Sequence, residues 1–228
     1  MTVSRPTVSI EVMDAKTTTE SVAFGNVEKA YHHGDLPAAL RAATAELITE
    51  KGPTGFSLRE VARRAGVSHS APAHHFGDSL GLLTSVAAEG FRRLNDAFGQ
   101  LQAIADPIER LNAMGKAYVH VAIENPGHFG VMCSHELVDH DNEEFCNNSG
   151  QAFESLVQTV AEIAEAHNPK LDVEVASTWI WSTVHGLAVL RQGLTTMEIK
   201  AVTNEVDVLI DQFTDLMTNG LFRGTGNV

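Results

Sequence analysis

The chain has 228 residues, of which 43% are apolar, enough for one or two compact domains and too apolar for a disordered protein. Its 29 acidic residues against 16 basic ones leave a formal net charge of −13, so nucleic acid is repelled except at a local exception. Two cysteines, Cys133 and Cys146, make no disulfide framework, no apolar run reaches the ~20 residues that span a bilayer, and the start lacks a signal peptide's basic and apolar regions, so a cytoplasmic globular protein without a membrane partner is expected.

In chain order, residues 1–27 are rich in Thr and Ser without a sustained period and read as a flexible N-terminal arm. Asp35 is a good cap for a helix running to Lys51, with Leu36, Leu40, Ala43, Leu47 and Ile48 as its apolar stripe and Gly52-Pro53 as its stop. Ser57-Leu58-Arg59-Glu60 is a capping box, flanked by Phe56 and Val61 as a hydrophobic staple, and starts a helix ending near Ala65. Ser68 caps a short third helix, roughly His69 to His75, and Gly77-Asp78 leads into a fourth, Ser79 to about Leu101. Asp106-Pro107-Ile108-Glu109 opens the next helix, which stops at Asn125-Pro126-Gly127. Further helices are predicted over 128–138, 145–167, 172–192 and 196–219, the last with a Thr195/Glu198 box and a Leu194/Ile199 staple. No segment alternates like a strand. The expected fold is all-α: a three-helix helix-turn-helix headpiece followed by a helical bundle.

The second and third helices carry the functional signal. Ala62 sits where they cross, Gly66 permits the positive φ of a tight turn, and Val67 anchors that turn. The third helix then presents a small polar face of His69, Ser70, Ala73 and His74, suited to a major groove. Ser57, Arg59, Arg63, Arg64 and Ser68 complete the DNA-contact candidates; Arg63 and Arg64 read equally as solvated surface or phosphate contacts. His75 belongs to the same set, although its place before the core residue Phe76 favours packing within the headpiece. Residues 28–93 hold eight basic residues against seven acidic ones, a net +1, while the remainder carries the negative charge.

On these residues the chain resembles the DNA-binding domain of the TetR family of transcriptional regulators. The run Ser57-Leu58-Arg59-Glu60-Val61-Ala62-Arg63-Arg64-Ala65-Gly66-Val67-Ser68, the pair His75-Phe76 and then Leu82-Leu83 fall in family order. The C-terminal part is similar to the subgroup with a Trp…His-Gly signature, here Trp181-Ser182-Thr183-Val184-His185-Gly186, together with Ala117-Tyr118 and Asn125-Pro126-Gly127-His128-Phe129. The resemblance implies a homodimeric regulator, most often a repressor, that binds a palindromic operator and is released by a small molecule. It divides the chain into a DNA-binding domain over 28–80 and a ligand-binding and dimerisation domain over 81–222. Ala73 and Ser79 stand where the family usually has a phosphate-contacting tyrosine and lysine, which weakens sequence-independent affinity and flattens its salt dependence. These departures keep an alternative open: a helical small-molecule-binding or interaction protein that has lost DNA binding.

In the C-terminal part, Trp181 and His185 lie one turn apart on a shared face. They are either core or dimer packing, or the lining of a ligand cavity with Met114, Tyr118, Phe129, Met132 and Phe153. The stripe Ile199, Val202, Val206, Leu209, Ile210, Phe213 and Leu216 reads as the face that pairs with helix 172–192 of a second copy in a four-helix bundle. The fourth helix, which joins both parts, is the expected lever. Cys133, His135, Asp139, His140 and Asp141 match no standard zinc spacing, so no metal is expected. No G-x-S-x-G elbow, phosphate-binding glycine loop or H-E-x-x-H occurs, so neither catalytic residues nor a cofactor are expected.

Overall fold

A computed structural model describes residues 35–193 and 206–222, and every regular element among them is helical. Helix α1 (Leu36–Lys51) is capped by Asp35, whose Oδ1 accepts the Ala38 amide at 3.0 Å. Helix α2 (Leu58–Ala65) is capped by Ser57, whose Oγ accepts the Glu60 amide at 3.3 Å. Only half of the expected capping box forms. The Glu60 carboxylate turns instead to Lys51 Nζ at 2.5 Å, because an ammonium group is a stronger partner than a neutral amide.

Helix α3 (Ala71–Phe76) begins later than the sequence suggests. Residues 69 and 70 form a turn in which Ser68 O accepts the Ala71 amide at 3.0 Å. The Ser68 hydroxyl lies 3.3 Å from Ser70 Oγ and caps no amide. Helix α4 (Ser79–Leu101) is capped by Asp78, and α5 (Pro107–Glu124) by Asp106, which accepts two amides.

The helix expected over 128–138 is a correction. Pro126 pre-sets the first position, so α6 (Pro126–Met132) starts earlier, and the chain leaves the helix at Cys133 and the extended Ser134. A single 3₁₀ turn, His135–Leu137, follows, and the Asp139 amide donates to Thr84 Oγ1 at 2.8 Å. Helix α7 (Glu143–His167) begins two residues before the expected start because Asn142 caps it. Helix α8 (Val173–Gly193) and helix α9 (Val206–Met217), which widens into a π turn at Thr218–Phe222, complete the described chain. The Thr195/Glu198 box, the Leu194/Ile199 staple, Ile199, Val202 and the arm over 1–27 lie outside the described residues.

Two apolar clusters organise the helices. The smaller joins Leu40, Ala43, Leu47, Val61 and Leu82, with Phe56, Val67 and Phe76 packed against it. The larger runs from Ala45, Ile48 and Leu83 through α4–α9 to Phe222. Helices α1 and α4 thus present one face to each cluster. Helix α6 is pressed onto α1 at Gly127, where a Cβ would run into the Ala45 carbonyl; only glycine allows that approach.

The stripe expected to pair with a second copy mostly faces inward. Val206, Leu209 and Ile210 are buried within the protomer and Phe213 packs against its core, leaving Leu216 exposed at 70%. The inner side of α9 is covered by α5, which takes the apolar face that a second copy was expected to cover. No helix among the described residues is long and apolar enough to cross a membrane.

Candidate nucleic-acid interface and ligand cavity

The joint between α2 and α3 is built as a rigid corner. Gly66 takes φ 68° and ψ 33°, the left-handed conformation that closes α2, and the Val67 amide donates back to Ala62 O at 2.9 Å. Ala62 is fully buried at the crossing, and Ala71 and Pro72 pin the inner side of α3. Outward stand Ser68, His69, Ser70, Ala73, His74 and His75, all exposed, beside Ser57, Arg59 and Arg63 on α2. His75 does not pack inside: its ring meets only those of its neighbours, His74 at 5.3 Å and Phe76 at 6.3 Å. With Ala71 and Pro72 already holding that inner side, no core place is left for it.

Most cations around this corner are already matched. Arg41 and Arg93 both bind Glu89 at 2.7 Å, Lys51 binds Glu60, and Arg92 binds Asp96 at 2.8 Å. Arg64 spans to α1, with its two terminal nitrogens 2.6 and 2.7 Å from Glu50 and Glu46 at 3.7 Å. This fork holds the Glu50 carboxyl below the usual carboxylate range. Arg64 is therefore a strut between helices. Arg59 and Arg63 are the cations of residues 35–93 without a close acidic partner; Arg63 is 3.9 Å from Glu60 and its side chain is 71% exposed.

Farther along the chain, α5, α7, α8 and α9 enclose an apolar cavity. Met114, Tyr118 and Trp181 line it with Leu156, Ile180, Phe213, Thr214 and Met217. Its free space is about 20 Å³, the room of one water molecule. A second, open cleft of about 390 Å³ lies between α6 and α8, lined by Phe129, Cys133, His185, Val189 and Gln192. Tyr118 joins the two. It meets Trp181 edge-on at 5.2 Å and Phe129 at 6.2 Å, and a hydrogen bond of 2.9 Å links its Oη to His185 Nδ1. Burial pushes the Tyr118 phenol up and the His185 imidazole down, so both are neutral near pH 7. Cys133 reaches the surface, yet its thiol beside Tyr118 is raised by desolvation and is a poor nucleophile.

Two family models match this chain. Residues 40–86 match "Bacterial regulatory proteins, tetR family", and residues 111–215 match "Tetracyclin repressor-like, C-terminal domain". Together they span the α2–α3 corner and most of the cavity walls. The chain belongs to the TetR family.

Among its relatives, a solved protein of unknown function from Rhodococcus sp. RHA1 is 30% identical, with a TM-score of 0.70 over 86% of this chain and 100% of that one. The TetR family transcriptional regulator PfmR from Thermus thermophilus, 22% identical, shares the fold at a TM-score of 0.63 over 84% of this chain and 97% of its own. The HTH-type transcriptional regulator BetI of Stenotrophomonas maltophilia (strain R551-3) is 35% identical over 74 residues, 32% of this chain and 38% of that protein. The chain thus spans well under half the length of this curated relative. The family is one of regulators rather than enzymes.

In this TetR-family chain, the aromatic and methionine residues singled out from the sequence separate into three groups. Met114, Tyr118 and Trp181 line the cavity, and Phe129 and His185 line the cleft. Met132 and Phe153 line neither. Met132 lies over Gly90 on α4, its Sδ 2.6 Å from where a Cβ would stand there, and Phe153 braces Trp181 at 5.8 Å. Sequence reasoning missed Thr214 and Met217, because they follow Phe213 and Leu216 of a stripe on α9 that reads as an interface. The legible signal was Thr214, a hydroxyl set beside that apolar stripe. Its Oγ1 is buried without a hydrogen-bond partner.

Proposed function

We propose that the protein is a DNA-binding transcriptional regulator of the cytoplasm, working as a homodimeric repressor that holds a palindromic operator and leaves it when a small molecule binds. The observation that carries this reading is the exposed polar surface of Ser68, His69, Ser70, Ala73 and His74, held out by the Gly66 corner with Arg59 and Arg63 beside it. A small-residue face of this kind fits a major groove, and the exposed Arg59 and Arg63 suit flanking phosphates. In this reading residues 28–80 form the DNA-binding domain and 81–222 the effector and dimer domain. The Trp181…His185-Gly186 signature supports membership of the Trp-His-Gly subgroup.

The dimer would use the outer faces of α8 and α9, where Val175, Trp179, Val189, Leu190, Val208 and Leu216 are exposed apolar residues. Four helices meeting there bring two α3 segments about one DNA turn apart, roughly 34–36 Å. Helix α4 is the lever: its Leu82 belongs to the small core and its Phe91, Leu94 and Phe98 to the large one. An effector that favours another spacing shifts the population away from DNA by its differential affinity for the two states.

Recovery of bound duplex from a random-sequence library across a salt series tests the reading. A short palindrome with half-sites one turn apart is expected. No selection, even at low salt, would favour a helical small-molecule-binding or interaction protein that has lost DNA binding; Ala73 and Ser79 are the residues that support this second reading.

A further inference from the structure

Resting on the reading of this domain as an effector domain, we propose that the effector is an uncharged cyclic alcohol, phenol or ketone whose oxygen is received by the Thr214 hydroxyl. Thr214 is 4% exposed and lines the cavity, and its Oγ1 has no partner in the protein. The other buried threonines, Thr44, Thr84 and Thr159, return their hydroxyls to a carbonyl one turn back. Thr214 alone among these four does not. A buried hydroxyl left without an internal partner is open to one that enters the cavity. Since a hydroxyl both donates and accepts, an alcohol, a phenol or a ketone answers it equally.

Charge excludes the other classes. Among the described residues, no Lys, Arg, Asp or Glu lines the cavity or the outer cleft. The titratable groups between them, Tyr118, His185 and Cys133, are neutral at neutral pH. A carboxylate, phosphate or ammonium entering here would lose its water and meet no counter-charge. The net charge of −13 adds long-range repulsion for anions.

The walls favour a ring. Tyr118 and Trp181 stand edge-on to one another at 5.2 Å, and Phe213 joins them in the lining, presenting the faces and edges on which a flat or alicyclic ring packs. The free space of about 20 Å³ is smaller than such a ring. Entry therefore requires the side chains to part, and Met114 and Met217 are the two in the wall best able to do so, being unbranched and flexible.

The test uses the full chain and a shape-matched set: naphthol, naphthalene, naphthoate and naphthylmethylammonium, each titrated by calorimetry. Naphthol is expected to bind tightest, naphthalene next, and the two ions not at all. Thr214→Val is expected to weaken naphthol about five- to tenfold while leaving naphthalene unchanged, and Thr214→Ser to restore naphthol. Since valine removes an unsatisfied hydroxyl without changing the shape, Thr214→Val should also melt no lower than the parent chain. The proposal is overturned if either ion binds as tightly as naphthol, if Thr214→Val leaves the naphthol-to-naphthalene ratio unchanged, or if no member of the set binds. The regulator reading fails separately. If naphthol binds in a Thr214-dependent way yet leaves retention of a library-selected duplex unchanged, the ligand class stands and release by this site does not.

Discussion

The three short helices over residues 36–76 and the long helices over 107–217 settle their apolar residues by different rules. The short ones are positioned locally. Asp35, Ser57 and Gly66 fix their ends within a few residues, and one five-residue cluster decides which way each faces. The long ones share a single core in which each helix has two or more neighbours, and the face it buries is the face its neighbours cover. Yet the locally written part is not the self-supporting one. Five buried side chains contribute about 1.5–3 kcal/mol each, whereas ordering each residue costs about 1–2 kcal/mol. The corner presented to solvent therefore depends on α1 and α4, which carry Ala45, Ile48, Leu83 and Val86 into the large core.

The largest test of this contrast lies on α9. Leu209 is 4% exposed and Leu216 is 70% exposed, although both fall on one apolar stripe of the sequence. Leu209→Ala is expected to lower unfolding stability by about 3 kcal/mol, measured by urea denaturation. Leu216→Ala should change protomer stability by less than about 0.5 kcal/mol and show itself in dilution-dependent dissociation. Equal losses would mean that α9 has been assigned the wrong buried face. Next in size is Gly127→Ala, expected to cost about 2 kcal/mol, because the new methyl meets the Ala45 backbone and no flexible side chain can give way. Amide exchange should place the loss in α1 and α6. A neutral outcome would show that the two regions are not clamped there.

The same contrast explains what could be read before the structure. The ends of α1, α2 and α4 were legible because aspartate, serine and glycine act on amides three or four residues away. The exposed side of α3 was legible because its small polar residues have no other use. The inward turn of Val206, Leu209 and Ile210 was not, since an amphipathic stripe says that a face is covered and not by what. Nor was the strut role of Arg64, which rests on Glu46 and Glu50 arriving from another helix. The cavity was half legible: the aromatic residues were candidates from their types, but the bare hydroxyl that gives the space a chemistry emerges only once α9 is turned toward α5.

A smaller effect is expected from pH at the joint between the regions. His128 on α6 is buried, its Nε2 has no hydrogen-bond partner, and Glu89 lies 3.9 Å away. Desolvation lowers its pKa below the ordinary 6.5; Arg93, Arg41 and Arg92 lower it further and Glu89 partly opposes them. The unfolded chain therefore binds this proton more readily than the folded one. Stability from His128 is complete above pH 6.5 and is lost as pH falls below it, by at most about 1.4 kcal/mol per pH unit for one proton. Glu89 loses its own contribution only below its ordinary 4.5, because Arg93 and Arg41 hold it ionised. His128→Gln should flatten the first decline in a pH series of urea midpoints and leave the second. His185, also lowered by burial, keeps the first decline from vanishing entirely.

The finest discrimination concerns the start of α2, where local signals alone predicted a reciprocal capping box and only one half formed. Ser57→Ala removes an acceptor from the Glu60 amide and is expected to cost about 1 kcal/mol, independent of salt. Glu60→Gln removes no cap. It releases Lys51 at 2.5 Å and the more distant Arg63, so its loss should be smaller than that of Ser57→Ala and should fade as ionic strength rises. It should also strengthen non-specific binding to duplex DNA, because two cations beside the exposed corner lose their carboxylate and one negative charge disappears. If Glu60→Gln instead matched Ser57→Ala in size and ignored salt, the glutamate would be serving the Ser57 amide in solution, and the corner would be governed by its own few residues more completely than its contacts with α1 indicate.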